Sequence, residues 1–296
     1  MFRQAFFRLS RSNANEAIPN LLSMSDSNNQ SQLIPLLAKA AKIRPFALPQ
    51  YAEFAINAIN DENVKQELLQ ELLDPDTEYP GSIILSYLLW KKNLFSASQI
   101  TDYLAQKYEN FSGYKARYVF VIFSVLIKER NRDAFEEKCR NFYMTYAIGG
   151  AGNIFASFFQ NLPSKSESEI KEIILSPYGE IGNAIVNDNV EFLRNSEFNV
   201  NNTLVPSFYV ATDLGQQSPT YLQWACICGA EKCVQYLLEH GSDPNKNDRE
   251  GRSALQYAAA GGNLTILKEI QKLVGDMDRA KEMAIEYENR DVFDQI

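Results

Sequence analysis

The sequence has little of the chemistry that enzymes and nucleic-acid-binding proteins most often use. His240 is the single histidine among 296 residues, so acid–base catalysis would have to rely on carboxylates or lysines. Acidic residues outnumber basic ones, 37 to 29, and no local stripe of lysine and arginine offsets the net charge of -8. A phosphate backbone would be repelled on average, so we expect no nucleic-acid partner.

Cysteines and long apolar stretches are also scarce. Three of the four cysteines, Cys226, Cys228 and Cys233, lie close together, and the set forms no disulfide framework for a chain of this size. We therefore expect a reducing compartment. The longest apolar run, residues 118–127, includes Ser124 and is far shorter than the roughly 20 residues of a membrane-spanning helix. These features predict a soluble, cytoplasmic protein without membrane insertion.

The first residues differ in composition from the rest of the chain. Three arginines precede the first acidic residue, Glu16, and Phe2, Phe6 and Leu9 fall on one face of a helix. This composition is typical of an organelle-import presequence, and the alternative is a frayed amphipathic helix or disordered segment. We predict that residues 1–31 form a mobile N-terminal tail, with organelle import as the alternative localisation.

Helical patterns fill residues 32–176, which we predict to form a multi-helix domain. Val64, Leu68 and Leu72 recur at helical spacing, and Asp61 precedes them as a candidate N-cap. The pattern therefore predicts one amphipathic helix that begins after residue 61 and ends before the Asp-Pro pair at residues 74 and 75.

Other stretches of this domain are less regular. Ser96 and Gln99 have the spacing of a capping box, which predicts the start of a further helix. Residues 118–127 could form a β-strand, but the flanking patterns are helical, which favours a buried helix. The run IGGAGN at residues 148–153 lacks the features of a phosphate loop and of a dinucleotide fingerprint, so it predicts a linker between helices.

A self-similar register appears after residue 177. Thr220 and Ser253 stand 33 residues apart, and each opens a stretch in which the same residue types recur. The register pairs Leu222 with Leu255, Gln223 with Gln256, Ala225 with Ala258, and Gly229 with Gly262. Residues 182–201 and 279–296 match the same helix-helix rhythm less well. We predict about four repeats, of which the outer two are degenerate because they must face water on one side.

These residues resemble ankyrin repeats. EGRSALQYAAAGGNLTILKEI is similar to the family's Gly-x-Thr-Pro-Leu-His-x-Ala-Ala core, and GSDPNKND is similar to its inter-repeat hairpin. Gln223 and Gln256 replace the family's histidine, yet with Thr220 and Ser253 they form two capping-box patterns that preserve the local hydrogen bonding. The resemblance implies an all-α fold in which residues 177–296 form an ankyrin-repeat solenoid with short inter-repeat hairpin loops.

The chain is also similar to a narrower group, the protist ankyrin proteins with a helical N-terminal domain, a group greatly expanded in some parasitic protozoa. The segments that carry this similarity are LIPLLAKAAKIRPFALPQYAEFAINAI, LLWKKNLFSASQITDYL and NAIVNDNVEFLRNSEFNVN. They are patterns of helix and turn rather than chemical signatures. The similarity therefore implies a protein-interaction module and no particular activity.

The cysteine cluster raises the question of a metal or thiol site. Cys226 and Cys228 are two residues apart on one predicted helix and point about 200° from each other, so they cannot grip one ion. Cys226 and Cys233 take packing positions in the repeat register, and His240 precedes Gly241 at the predicted end of a helix. We predict no metal and no cofactor, with zinc as the alternative, and Cys228 as the thiol that reacts most readily.

Catalytic carboxylates are not evident either. Clusters such as Asp61-Glu62 and Glu136-Glu137 are typical of solvated helix faces, so we predict no catalytic residue and no enzymatic activity. The predicted function is a scaffold or adaptor that binds a protein partner. The alternative is an organelle-imported protein whose helical domain has a separate role, of which enzymatic activity is one option.

The resemblance implies where such a partner would bind. Ankyrin modules contact their partners through the hairpin tips and the exposed side of the first helix of each repeat, which together form a concave face. Here these positions are Gln216, Gln217, Pro219, Ile227, Cys228, Asn247, Arg249, Glu250, Arg252 and Ala260.

Overall fold

The computed structural model describes residues 1–11, 13–26, 29–74, 80–108, 114–147, 154–204, 213–275 and 277–296. These ranges contain helices, turns and one isolated antiparallel bridge between Thr203 and Thr220, and they contain no β-strand. The all-α prediction is confirmed for this part of the chain. The linker predicted at residues 148–153 lies outside the described residues.

The α-helices follow one another along the chain with short connections. They are α1 (Phe2–Phe7), α2 (Ala14–Met24), α3 (Leu33–Ile43), α4 (Leu48–Ala58), α5 (Glu62–Leu72), α6 (Pro80–Lys91), α7 (Ala97–Tyr108), α8 (Tyr114–Ile122), α9 (Ser124–Arg130), α10 (Arg132–Ala147), α11 (Ile154–Asn161), α12 (Glu167–Leu175), α13 (Gly179–Val186), α14 (Val190–Arg194), α15 (Asp213–Gln216), α16 (Tyr221–Cys228), α17 (Glu231–Glu239), α18 (Ala254–Gly261), α19 (Leu264–Gln271), α20 (Met277–Glu286) and α21 (Arg290–Phe293). Short 3₁₀ turns occupy Gln30–Gln32, Pro45–Ala47 and Leu162–Ser164.

The local signals of the N-terminal half behave as the sequence predicts. The Asp61 carboxylate accepts hydrogen bonds from the backbone N–H groups of Asn63 (2.8 Å) and Val64 (3.2 Å) and so caps α5. Ser96 and Gln99 form the reciprocal hydrogen bonds of a capping box at the start of α7. Both helices begin where a side-chain acceptor satisfies N–H groups that have no partner inside the helix.

Residues 118–127 form helix rather than strand, but not one continuous helix. α8 ends at Ile122, α9 begins at Ser124, and Phe123 between them has φ −102° and ψ 18°. The Phe123 ring is fully buried and lies 6.5 Å from Tyr87 and 6.3 Å from Trp90, measured between ring centroids. The β-branched residues that flank Phe123 lose side-chain freedom in a helix and so favour helical structure weakly. Burial of the Phe123 ring compensates for the local departure from helical geometry.

The N-terminal segment is part of the packed structure, which corrects the expectation of a tail at residues 1–31. Phe6, Phe7 and Leu9 are each at most 1% exposed. The Phe6 ring lies 5.0 Å from Tyr51 and 5.5 Å from Phe54 on α4, and the Tyr51 hydroxyl donates to the Phe6 carbonyl oxygen (2.9 Å). Of the alternatives that the sequence left open, the structure contains a short helix, Phe2–Phe7, and its apolar face is buried within the same chain.

The C-terminal helices stack as pairs. One row is formed by α13, α16, α18 and α20, and a second row is formed by α14, α17, α19 and α21, each helix packing on the next in its row. A Cβ atom at Gly261 would meet the Cys226 carbonyl oxygen at 2.4 Å, so α16 and α18 approach more closely than a larger residue would allow. We call the first row the inner row because Phe46 and Arg44 of the N-terminal half contact it.

Contacts between the two halves form one continuous core. Phe46, in the turn between α3 and α4, packs on Trp224 of α16 and on Tyr178 just before α13. The predicted domain boundary near residue 176 falls between α12 and α13, where the chain passes from the helical half into the stacked pairs. The helical half therefore covers part of the inner row. The residues of the inner row beneath this cover are shielded from solvent.

Candidate functional site

A capping box fixes the start of α16 and of α18, the two central helices of the inner row. Thr220 Oγ1 accepts from the Gln223 N–H (3.1 Å), and Gln223 Oε1 accepts from the Thr220 N–H (2.7 Å). Ser253 and Gln256 repeat this arrangement at α18. Gly229 and Gly262 end the two helices in the left-handed conformation, with φ 69° and 79°. The register predicted from the sequence is thus confirmed at both ends of both helices.

Gln223 also holds the loop that joins the two central helix pairs. Its side chain is fully buried, and Nε2 donates to the carbonyl oxygens of Lys246 (2.8 Å) and Arg252 (2.9 Å). One glutamine therefore ties the start of α16 to both sides of the 241–252 loop. Its hydrogen bonds replace those expected from the histidine of the family pattern.

The tip of this loop, residues 247–250, is built around the buried carboxylate of Asp248. Oδ1 accepts from the backbone N–H groups of Glu250 (2.9 Å) and Arg252 (2.8 Å), and Oδ2 accepts from the Tyr257 hydroxyl (2.8 Å). Arg252 Nη1 lies 3.3 Å from Oδ2. Burial and the nearby Asp248 carboxylate together raise the pKa of Tyr257, so this hydroxyl remains a donor. The tip is consequently preorganised.

Three of the ten predicted contact residues lie on this tip and face solvent: Asn247, Arg249 and Glu250. The Arg249 backbone N–H donates to the carbonyl oxygen of Gln217 (3.1 Å), which is half-buried beside the tip. Arg252 is half-buried through its pair with Asp248. The structure therefore brings these residues together as one surface, which we call the hairpin tip: Gln217, Asn247, Arg249, Glu250 and Arg252.

The other predicted contact residues are not a free surface. Pro219 is buried, Ile227 and Ala260 are 6% and 1% exposed, and Cys228 is half-buried. The Gln216 side chain lies outside the described part of the structure. The expectation that Ile227, Cys228 and Ala260 form an open concave face is wrong, because the helical half of the chain covers the inner row.

The cover over the inner row is partly aromatic. The Phe46 and Trp224 ring centroids are 5.0 Å apart at an interplanar angle of 82°, and Trp224 Nε1 donates to the Gly182 carbonyl oxygen (3.2 Å). A cavity of about 420 Å³, open to solvent on one side, lies beside Phe46. Residues from both halves line it: Phe7, Leu9, Arg44, Phe46, Ile227, Cys228 and Ala260. The side chains of the two halves therefore leave a space between them at this point of the interface.

Arg44 is the main polar connection between the halves. Its guanidinium donates to four backbone carbonyl oxygens, those of Phe7 (2.8 Å), Ile43 (3.2 Å), Ala260 (3.2 Å) and Tyr287 (2.5 Å). It also donates to Asn289 Oδ1 (2.5 Å). All five donors of the guanidinium are engaged, and two of the acceptors lie at or just beyond the C-terminal ends of α18 and α20, where a cation is favoured.

Ion pairs between the first and the last residues add to this connection. The Arg3 guanidinium pairs with the Glu288 carboxylate (2.7 Å), which also pairs with Lys39. Arg8 pairs with Asp291, and Gln4 Nε2 donates to the same carboxylate (3.1 Å). Sequence reasoning missed this site because the partners are about 250 to 290 positions apart. The available signal was the arginine-rich start of an otherwise acidic chain.

The cysteines occupy packing positions, as predicted for Cys226 and Cys233, which are both fully buried. Burial raises the pKa of Cys233 to about 12 and the pKa of Cys228 well above its ordinary value. Cys228 is half-buried, whereas the other three cysteines are buried, and its greater reactivity stays a prediction. Within the described ranges, no group of three or more His, Cys, Asp or Glu side chains is placed to hold a metal ion.

The single histidine ends α17 as predicted. His240 is the C-cap, Gly241 follows it with φ 85°, and the imidazole Nδ1 lies 2.7 Å from the Tyr236 carbonyl oxygen. The carboxylate clusters also have local roles, because Asp61 caps α5 and Glu136 pairs with Arg132 one turn away (2.8 Å). In the described residues, every helix is too short or too polar to span a bilayer.

Comparison with known proteins finds a similarity that covers most of the hairpin tip, all but Gln217. Residues 222–268 match a family model described as ankyrin repeats (many copies). Ankyrin repeat domain-containing protein 46 of Rattus norvegicus and of Mus musculus is 41% identical over 66 residues, which are 22% of this chain and 28% of that protein. The Danio rerio protein of the same name is 45% identical over 58 residues, 20% of this chain and 25% of that protein.

The chain thus spans about a quarter of the length of these curated relatives. The matched residues run from α16 into α19 and include the whole 241–252 loop. This part of the chain, with its hairpin tip, is similar to ankyrin repeats.

Proposed function

We propose that this protein is a non-catalytic adaptor that binds a protein partner through the hairpin tip. The observation that carries the proposal is the buried Asp248 carboxylate, which fixes the tip while leaving Arg249 and Glu250 exposed. A loop whose conformation is already set loses less conformational entropy on binding than a flexible one. Arginine is enriched among the residues that dominate binding energy at protein interfaces.

The architecture supports this proposal. We propose that the pairs α13–α14, α16–α17, α18–α19 and α20–α21 are four ankyrin repeats of one solenoid, the outer two degenerate, following a multi-helix domain. Stacked repeats bury one continuous core and present successive loops along one edge. We also retain, as a proposal, the similarity to the protist group of ankyrin proteins with a helical N-terminal domain.

Cytoplasmic localisation with an intact N-terminus forms part of the proposal. Cleavage of the first residues would remove Phe6, Phe7 and Leu9 from the core and the two arginines that pair with Glu288 and Asp291. We expect mass spectrometry of the protein from its native cells to find peptides that contain residues 1–11. A mature protein that begins beyond residue 11 would instead support organelle import.

The experiment that tests partner binding compares two double variants of the full chain. Arg249→Ala with Glu250→Ala alters the hairpin tip, and Glu129→Ala with Arg130→Ala makes the same chemical change on the exposed surface of α9. Each protein is used for affinity capture with quantitative mass spectrometry, and the captured partner is then purified and titrated.

We expect the tip variant to lose affinity by roughly thirtyfold, which corresponds to about 2 kcal/mol at a contact hot spot. The α9 variant should bind with unchanged affinity. Equal binding by both variants, with folding verified by circular dichroism, would remove the hairpin tip as the binding site.

A further inference from the structure

Residues 2–11 lie against α4 and against the C-terminal ends of α16, α18 and α20, and they carry both apolar and cationic side chains. We call the surface that receives them the segment-binding surface: Tyr51, Phe54, Ile227, Cys228, Ala260, Glu288 and Asp291. Phe6, Phe7 and Leu9 are buried, while Arg3 and Arg8 pair with Glu288 and Asp291 at the edge of the last helix pair. The surface that receives this segment therefore combines an apolar floor with an acidic rim.

The two carboxylates of the acidic rim, Glu288 and Asp291, each accept hydrogen bonds in a defined arrangement. Arg3 Nη2 and Nε reach Glu288 Oε1 (2.7 Å) and Oε2 (3.4 Å), so the two planar groups meet as a fork. Asp291 receives Gln4 through Oδ1 and Arg8 through Oδ2. Glu288 is held in a left-handed backbone conformation, with φ 57°, that places its carboxylate beside α1. Each carboxylate thus uses both oxygens to bind residues 2–11.

The arginines that anchor residues 2–11 to the last helix pair are exposed, although the apolar side chains of the segment are buried. The side chains of Arg3 and Arg8 are 56% and 52% exposed, and ion pairs between exposed groups contribute little. The cavity of about 420 Å³ beneath Phe7 and Leu9 also leaves part of the interface unfilled. Lost packing contacts around such a space weaken the attachment of the segment.

We propose that the segment-binding surface is a second docking surface, and that its partner is an amphipathic protein segment carrying arginines and aromatic residues. Residues 2–11 occupy this surface in cis and are displaced when a partner of matching chemistry binds. The acidic rim selects the cations, and the cavity beside Phe46 and Ile227 accepts a side chain larger than those of the resident segment. This surface is separate from the hairpin tip, so either proposal can fail without the other.

A peptide of residues 1–11, labelled with a fluorophore at its C-terminus, is the probe for this surface. A tethered segment competes at an effective concentration in the millimolar range, so the unmodified full chain should bind the peptide weakly. In the full-length variant Arg3→Glu with Arg8→Glu, the tethered segment is repelled by Glu288 and Asp291. We expect fluorescence anisotropy to show at least tenfold tighter binding of the peptide to this variant.

Two controls separate docking from general charge attraction. Arg130→Glu with Arg132→Glu makes the same change in net charge on exposed residues away from the inner row, and it should bind the peptide as weakly as the unmodified chain. Adding Glu288→Gln and Asp291→Asn to the Arg3→Glu, Arg8→Glu variant should abolish the gain. Equal peptide binding by the two charge-reversed variants would overturn the proposal.

Hydrogen exchange on the unmodified chain tests the same idea without relying on a variant that has to fold. The proposal requires residues 2–11 to detach while α4 stays folded, so the amides of α1 should exchange at least tenfold faster than those of α4. Exchange of α1 and α4 at the same rate would show that the segment is inseparable from the core, and would overturn the proposal.

Discussion

The phenyl ring of Phe46 meets the indole of Trp224 edge-on, with the ring centroids 5.0 Å apart. Trp224 is fully buried and belongs to α16, whereas Phe46 lies in the turn that joins α3 to α4. This pair is one of the contacts that link the helical half of the chain to the repeat-like half. Because the inner row is covered here, the two halves are expected to unfold together rather than as independent domains.

Replacement of Phe46 tests that linkage. Phe46→Ala removes a half-buried ring, so we expect a loss of about 2–3 kcal/mol in the free energy of unfolding, below the range for a fully buried phenylalanine. Urea unfolding followed by tryptophan fluorescence measures the loss. Phe192→Ala, at an exposed position on α14, should change the stability by no more than about 0.5 kcal/mol. Equal effects of both substitutions would show that the contact with Trp224 is unimportant.

Leu255 is the corresponding test of the repeat register. The sequence aligns it with Leu222, and both side chains are fully buried on the inner row. Leu255→Ala should lower the free energy of unfolding by about 2–5 kcal/mol through lost burial and a new cavity. Leu273→Ala, at a residue that is 47% exposed, serves as the control and should be nearly neutral. A urea midpoint that moves equally for both would argue against the register.

The features that sequence reasoning predicted correctly are local ones. Asp61 caps a helix through N–H groups two and three residues away, and Thr220 with Gln223 forms a box within a single turn. Such interactions depend on neighbours in the chain and on backbone geometry, which residue types and their spacing already specify. The 33-residue register also predicted the packing of one helix pair on the next, because each repeat packs on a neighbour of the same kind.

The features that could not be predicted depend on distant parts of the chain. Arg44 donates to carbonyl oxygens of Ala260 and Tyr287, 216 and 243 positions away, and backbone acceptors have no sequence signature. The burial of Phe6 likewise depends on where α4 lies in three dimensions. Exposure of Ile227 and Ala260 was inferred from an isolated repeat, and that inference failed because another part of the chain covers them.

The pH dependence of stability should report on Glu288. Hydrogen bonds from Arg3 and then Lys39 lower its pKa from 4.5 to about 2. The folded state therefore favours the ionised form, and the stability that this provides is fully present above pH 4.5 and is lost as the pH falls towards 2. Glu288→Gln removes the charge, so this variant should be less stable than the unmodified chain at pH 6.

The difference between these two proteins should shrink steadily between pH 4.5 and pH 3, measured by urea unfolding at each pH. Comparing the two proteins at the same pH cancels the contribution of the other carboxylates. A constant difference over this range would show that the ion pairs of Glu288 do not contribute to stability.

The two arginines of the hairpin tip should behave differently, although the sequence suggested that both were exposed turn residues. Arg249 faces solvent, and Arg249→Ala should change the free energy of unfolding by no more than about 0.5 kcal/mol. Arg252 provides the cation beside the buried Asp248 carboxylate, so Arg252→Ala should lower that free energy by about 2 kcal/mol. The loss should be smaller when Asp248→Asn is already present, because the neutral amide needs no counter-ion. If urea unfolding shows that the losses of Arg252→Ala and Asp248→Asn add in the double variant, the two side chains do not interact. Arg252 would then be a surface residue and could be tested in binding assays alongside Arg249.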